Sequence, residues 1–323
     1  MFLRKTVSIV LLLLIALTLA SARADEPPNS APQKLTVMLD WFVNPDHAAL
    51  VIAQEKGFFA AQGLNVELQT PADPNDPPKL AAAGKVDLAV SYQPQVHIHV
   101  NAGLPIKRIG TLIATPLNSL MVLKNGPIKT LTDLKGRKIG YSVGGFEEAL
   151  LKALLAKANL KAEDVTLVNV NFSLSPALLS GQVDAVIGAF RNFELNQLDL
   201  AKKPGRAFYP EEEGVPPYDE LVLVANRDQL NDPRFRRFLT ALEQATLYIL
   251  NHPDEAWQAF IARHKDLNDE LNRRAWRDTL PRLARRPAAL DEAGYRRFAQ
   301  FLAKQGVITV ALPVSNYATQ LLD

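Results

Sequence analysis

Cysteine is absent from this chain, and histidine and methionine are scarce, at 5 and 3 among 323 residues. With no thiol there is no disulfide framework, no thiolate metal site and no cysteine to carry a lipid anchor. Excess charge is missing too, since 36 basic residues face 34 acidic ones. Nothing here steers the protein toward nucleic acid or an anionic membrane surface. The one long apolar run, residues 9–20, falls short of the ~20 residues that a membrane span requires. Neither H-E-x-x-H nor G-x-S-x-G occurs, and Gly144-Gly145 lacks the full dinucleotide or Walker pattern. His97 and His99, two apart in a stretch that Pro94 marks as helical, fall on different sides of a helix and make a poor metal pair. The basic clusters at 234–237 and 282–286 are interleaved with acids, as solvated helix faces are.

What the chain does have begins with Arg4 and Lys5, the apolar run, and Ala22-Arg23-Ala24. This is the pattern of a secretory signal with an A-x-A cleavage site, so residues 1–24 are expected to be removed and the mature protein to be exported and periplasmic. Without those residues, 33 basic residues face 34 acidic ones. Residues 25–33, polar and proline-containing, read as a leader.

The stretch 35–69 organises the rest. Its apolar start predicts a strand buried on both faces. Asn44-Pro45-Asp46 then predicts a helix start, with Asn44 as N-cap, and the helix is expected to run to about Gln62 before the C-cap Gly63. Residues 64–69 alternate as a second strand. Asp40, Trp41, Asn44 and His47 therefore cluster at the carboxyl end of a strand, where open α/β sheets bind ligands.

The same grammar recurs. A short glycine-terminated helix precedes Val86-Asp87, a buried strand and Ser91-Tyr92-Gln93-Pro94; another precedes Val183-Asp184, a strand and the run from Phe190 to Glu194. Two similar lobes are expected, each presenting the loop after this strand to the space between them. Residues 115–119 and 214–220 are read as the crossings, giving lobe 1 as 25–115 and 222–323 and lobe 2 as 116–221. Gly144-Gly145 opens a helix over 146–159; the turn is preferred to a phosphate cradle, with Phe146 facing a ligand.

The candidate loops carry Trp41, Tyr92, Phe146, Phe190 and Tyr218 with Asp40, Asn44, His47, Asn118 and Glu194. Aromatic faces with a carboxylate and amides are the inventory for holding a flat polar ring.

Residues 40–47 (DWFVNPDH), 57–64 (GFFAAQGL), 83–87 (AGKVD) with 91–94 (SYQP), 134–141 (LKGRKIGY) and 214–218 (GVPPY) resemble the family that joins fungal thiamine-pyrimidine synthases to bacterial solute-binding proteins. The similarity is greatest to members that feed ABC importers with formylaminopyrimidine or hydroxymethylpyrimidine; the glycine-rich pieces are shared with sulfonate and nitrate binders. The resemblance implies an α/β, two-lobed type II periplasmic binding fold, each lobe a mostly parallel sheet flanked by helices, closing on an aminopyrimidine and docking on a permease and its ATPase. It implies a monomer with no cofactor. Within it Trp41 and Tyr92 would stack on the ring, Asn44 and Asn118 would supply amides, and Glu194 would accept from the exocyclic amine. The fungal enzymes carry a lysine for pyridoxal phosphate and, four residues on, a substrate histidine; those positions read Ser91 and Gln95 here, and the cysteine run used for iron has no counterpart.

The exported protein is expected to start at Asp25. Amino-terminal sequencing of the periplasmic product checks this, and an intact Met1 on a membrane-bound product overturns it.

Overall fold

The computed structural model describes residues 31–322, so the expected signal segment 1–24 lies outside the described residues. In chain order the strands are β1 (Gln33–Met38), β2 (Leu64–Gln69), β3 (Leu88–Ser91), β4 (Ile106–Ile113), β5 (Asn118–Leu123), β6 (Lys138–Tyr141), β7 (Thr166–Asn169), β8 (Ala185–Phe190), β9 (Gly205–Phe208) and β10 (Leu221–Asn226). They form two five-stranded sheets, ordered β2-β1-β3-β10-β4 and β7-β6-β8-β5-β9. In each sheet the first three strands pair in parallel, and one strand, β10 or β5, pairs antiparallel on both its sides. Four strands of each sheet thus run one way and one runs against them. No helix among the described residues is long and apolar enough to cross a membrane.

The helices are α1 (Ala48–Glu55), α2 (Phe58–Ala61), α3 (Pro77–Ala82), α4 (Gln93–Asn101), α5 (Phe146–Lys157), α6 (Leu174–Ser180), α7 (Glu194–Leu200), α8 (Pro233–Asn251), α9 (Pro253–Arg263), α10 (Glu270–Thr279) and α11 (Glu292–Lys304). They cover the sheets as the strand sequences require. Leu35, Val37 and Leu39 of β1 and its end enter the main core, while Met38 points the other way into a second cluster with Val96, Val224 and Tyr317. The outer face of the second sheet has its own cluster of Met121, Val186 and Leu198.

The two Val-Asp repeats have one structural job. Asp87 accepts from the Thr36 N–H and hydroxyl of β1 at 2.7 and 2.8 Å. Asp184 accepts from the Lys138 N–H of β6 at 2.9 Å. In each sheet the aspartate before β3 or β8 is bonded to the parallel strand beside it, β1 or β6.

Two local expectations need correction. The single helix expected from Asn44 to about Gln62 is three pieces. Asn44 does cap, its side chain accepting from the Asp46 N–H at 2.8 Å, but it opens a 3-10 turn, Pro45–His47, that leads into α1. The chain then breaks at Gly57, whose φ of 74° is outside the helical region and suits a residue without Cβ. Strand β9 was not foreseen, because Gly205–Phe208 is short, half-buried and lies at a sheet edge.

Arg108 is wholly buried in β4 and holds the segment before α11, donating to the carbonyls of Pro287, Ala288 and Ala289 and to the Thr111 hydroxyl. Thr111 in turn donates to Asp219, on the stretch leading into β10. Arg108→Ala leaves several buried acceptors unpaired and is expected to cost about 3 kcal/mol or more. Urea unfolding of the two proteins measures it; equal midpoints and slopes would show that the network adds nothing.

Candidate functional site

Between the two sheets lies a narrow cavity enclosing about 460 Å³ of space free of protein atoms, part of it open to solvent. The carboxyl ends of β1, β3, β6 and β8 feed it. From the first sheet come Asp40, Trp41, Asn44, Asp46 and Tyr92; from the second come Glu147, Leu174, Gly188, Phe190, Phe193 and Glu194, with Leu221 of β10. No lysine or arginine lines it.

Aromatic groups make up part of its wall. Tyr92 stacks on Phe146 at 4.9 Å between centroids and meets Phe190 edge-on at 6.5 Å. Trp41 meets the edge of Phe172, across the cleft, at 4.5 Å. The ring of Tyr92 is held by its hydroxyl, which donates to Asp40 Oδ2 at 2.8 Å, while His47 Nε2 lies 2.8 Å from Oδ1. The Asn44 N–H points at His47 Nδ1 at 3.3 Å, which assigns Nδ1 as acceptor and places the proton on Nε2, facing Asp40. His47 and Asp40 therefore orient Tyr92, with Asp40 also bordering the cavity.

The other acids are taken out of water, Glu147 and Glu194 with no lysine or arginine paired to them among the described residues. Burial pushes the Glu147 carboxyl up to about 8, although Ser142 donates its N–H to Oε2 at 2.7 Å. Burial likewise raises Glu194 to about 7 against the pull of the Phe190 N–H, 2.6 Å from Oε2. Asp46 rises to about 6, again from burial, while Thr279 and Asn192 donate to its Oδ1 at 2.9 and 2.6 Å. Glu220, behind the cavity, accepts the N–H groups of Leu117 and Asn118 and is raised by burial to about 7.

Of the ten residues singled out from sequence, the structure brings Asp40, Trp41, Asn44, Tyr92, Phe190 and Glu194 to the cavity wall. Phe146 stands directly behind Tyr92 and His47 behind Asp40. Asn118 is fully buried with its Oδ1 accepting from the Gly188 N–H at 3.2 Å, so it shapes the wall from the rear. Tyr218 packs on Phe298, 5.2 Å away, and is outside the lining. The sequence reasoning passed over Asp46, Glu147, Phe193 and Phe172. Asp46 was counted only as a first-turn acid, and Glu147 sits in an ordinary-looking helix start. The donors of the glycine turn face side chains of the protein itself: the Gly144 N–H meets Asn75 Oδ1 and the Gly145 N–H meets Glu148 Oε2. His97 is packed among Tyr295, Phe298 and Tyr317, where burial lowers it to about 3.

The sequence model of the NMT1/THI5-like family matches residues 44–256. The chain belongs to this family. A protein of Haemophilus influenzae named for thiamine biosynthesis is 58% identical over 91% of this chain and 94% of its own length. The formylaminopyrimidine-binding protein of Halalkalibacterium halodurans is 34% identical over 83% of this chain and 82% of its own. A 4-amino-5-hydroxymethyl-2-methylpyrimidine phosphate synthase of Saccharomyces cerevisiae is 29% identical, covering 74% of each chain. Among solved structures, the alkanesulfonate-binding protein SsuA of Xanthomonas axonopodis superposes with a TM-score of 0.70 over 90% of this chain and 99% of that one, at 17% identity. This member of the NMT1/THI5-like family thus has the two-lobed periplasmic binding protein fold.

The buried acids give the folded state a pH dependence. Glu147, Glu194 and Glu220 hold their protons more tightly folded than unfolded. Their protonation therefore stabilises the folded chain in full below about 4.5, and that contribution is lost as pH rises through about 7 to 8. The desolvated His97, His99 and His264 act in the opposite sense, but only below about 6.5, where an unfolded histidine takes up a proton. Between pH 7 and 9 the ligand-free protein is expected to lose about 1 kcal/mol or more, and Glu147→Gln to flatten that fall. Urea unfolding at both pH values checks it; a stability rising with pH in this window contradicts it.

Proposed function

We propose that the protein is the solute-binding component of an importer, capturing an aminopyrimidine precursor of thiamine between its lobes and delivering it to a permease driven by an ATPase. The observation that carries this is the composition of the cavity wall: aromatic rings with four carboxylates, Asp40, Asp46, Glu147 and Glu194, and no basic side chain. Such a wall disfavours a sulfonate or nitrate, which would meet like charge and no cationic partner. It favours a flat ring that presents N–H donors at its edge. Trp41 and Tyr92 supply faces for stacking, and Glu194 an acceptor for an amine. The formylaminopyrimidine-binding protein among the relatives supports a ligand of this class.

The related synthases supply the rival activity. The two positions at which the resemblance expects their cofactor lysine and substrate histidine are occupied by Ser91 and Gln95, which are buried and bond to each other, Ser91 Oγ donating to Gln95 Oε1 at 2.7 Å. A serine hydroxyl supplies no amine for a Schiff base. We therefore propose a binding protein and not an enzyme.

Glu194→Ala and Trp41→Ala separate the two modes of recognition. Loss of the carboxylate is expected to cost about 1–3 kcal/mol for an aminopyrimidine and much less for its des-amino analogue, because only the first leaves a buried donor unpaired. Loss of the indole should weaken both rings alike. Calorimetry on the exported protein, preceded by mass spectrometry of any solute carried through native purification, decides it. An unchanged ratio between the two ligands in Glu194→Ala removes Glu194 from recognition, and a copurified sulfonate removes the aminopyrimidine reading altogether.

A further inference from the structure

Glu147 is a carboxylate of the cavity wall that, like Asp46, the sequence does not single out as a site residue, and its setting matches that of Glu194. Each stands in the first turn of a helix, α5 or α7, at the end of a parallel strand, β6 or β8. Each has one oxygen, Oε2, engaged by a backbone N–H of the preceding turn, from Ser142 and Phe190 respectively. Neither pairs with a basic residue among the described residues, and both border the cavity. The Glu147 carboxylate lies flat against Gly188, where a Cβ on that residue would overlap it. Gly188 itself has a φ of 97°, so this strand position both requires glycine and leaves room for the acid. The first turn of a helix of this length is where an anionic group of a ligand would seat on free N–H donors. Here the N–H of Ser142, in the turn that precedes α5, is taken by Glu147 from inside the protein.

We propose that Glu147 is a specificity-determining residue that accepts a hydrogen bond from a second donor of the ring ligand, on a different edge from the amine taken by Glu194, and bars the phosphate ester of that ligand. This rests on the aminopyrimidine reading above and deepens it. The ligand then carries an amine on one edge and a hydroxymethyl or aminomethyl donor on another, unphosphorylated. A phosphate on that second substituent would bring two negative charges to a wall that already holds carboxylates and has no cation to receive them.

The test is calorimetry at pH 9, above the raised value of about 8 for the Glu147 carboxyl so that it is ionised, on the exported chain with three probes: 4-amino-5-hydroxymethyl-2-methylpyrimidine, its 5-methyl analogue and its phosphate ester. The wild type is expected to prefer the hydroxymethyl compound over the methyl one by roughly tenfold, the worth of one bond to a charged acceptor, and over the ester by about a hundredfold or more. Glu147→Gln, which keeps an acceptor oxygen and the shape, should narrow the discrimination against the ester by about tenfold, while Glu194→Gln should weaken all three probes without narrowing it. Glu147→Asp keeps the charge but withdraws it from the ligand, so it should retain the rejection of the ester and lose the preference over the methyl compound; it decides the matter alone if the Gln variant does not fold. An ester-to-hydroxymethyl ratio unmoved in Glu147→Gln, or lost in Glu147→Asp, overturns the role of Glu147. Failure of the wild type to bind any of the three pyrimidines overturns instead the proposed function on which it rests.

Discussion

A carboxylate withdrawn from water with no cation beside it is the costly feature around which this fold is arranged. Glu147, Glu194 and Glu220 all accept backbone N–H bonds, yet burial still outweighs those bonds and lifts each acid well above the ordinary carboxylate range. The nearest candidate for neutralising them, Arg191, is committed elsewhere: it forks onto Glu211 at 2.5 and 3.0 Å and lies 4.0 Å over the ring of Tyr209. A wall of this kind is incomplete in energy terms until donors face it. A ligand without donors would leave the acids as they were, and an anion would add like charge.

The second constraint is that the wall is assembled from both lobes, so anything that holds the lobes together also completes the site. Asp46 on the first lobe accepts from Asn192 on the second, and Thr279 of α10 closes the triangle, its hydroxyl 2.8 Å from Asn192 Nδ2. All three are buried. On the rim, Asn75 takes the Gly144 N–H and donates to the Ser142 carbonyl, and Arg274 pairs with Asp199 at 2.7 Å. The last pair is solvent-exposed and contributes little, of order 0–1 kcal/mol. The Asn192 triangle is the contact whose loss leaves buried groups unpaired, and it sits two residues from Glu194. The Asn192 triangle and Glu194 therefore share the same short loop after β8.

How much of this was legible in the sequence follows from which signals are local. Strand β1, the capping role of Asn44 and the recurrence of Val-Asp were readable because each is written in adjacent residues and period-two burial. The break at Gly57 was not, because a glycine inside an apolar helical pattern is tolerated in many helices and only its φ shows that here it ends one. Trp41, Tyr92 and Glu194 stood out through their loop positions, and the structure brings them to one cavity. Asn118 and Tyr218 carried equal polar promise, but their places are set by tertiary packing: Asn118 faces Gly188 from behind the wall, and Tyr218 lies against α11. Asp46 and Glu147 were missed for the converse reason, since an acid in the first turn of a helix is so common a stabiliser of the helix dipole that it draws no notice.

The internal repeat explains why those missed residues belong together. Strands β1 and β6 are equivalent in the two sheets: each lies second from one edge, each is bonded to the aspartate that precedes the strand beside it, β3 or β8, and each runs parallel to both neighbours. The chain leaves β1 for Asp40, Trp41 and Asp46, and it leaves β6 for Glu147; it leaves β3 for Tyr92 and β8 for Phe190 and Glu194. Once the two Val-Asp strands are recognised as counterparts, the loops after the strands paired with them must also face one another across the cleft, because parallel strands of one sheet end on the same side. On this construction a wall with acids from both sheets follows from the topology, and no lysine or arginine among the lining residues offsets them.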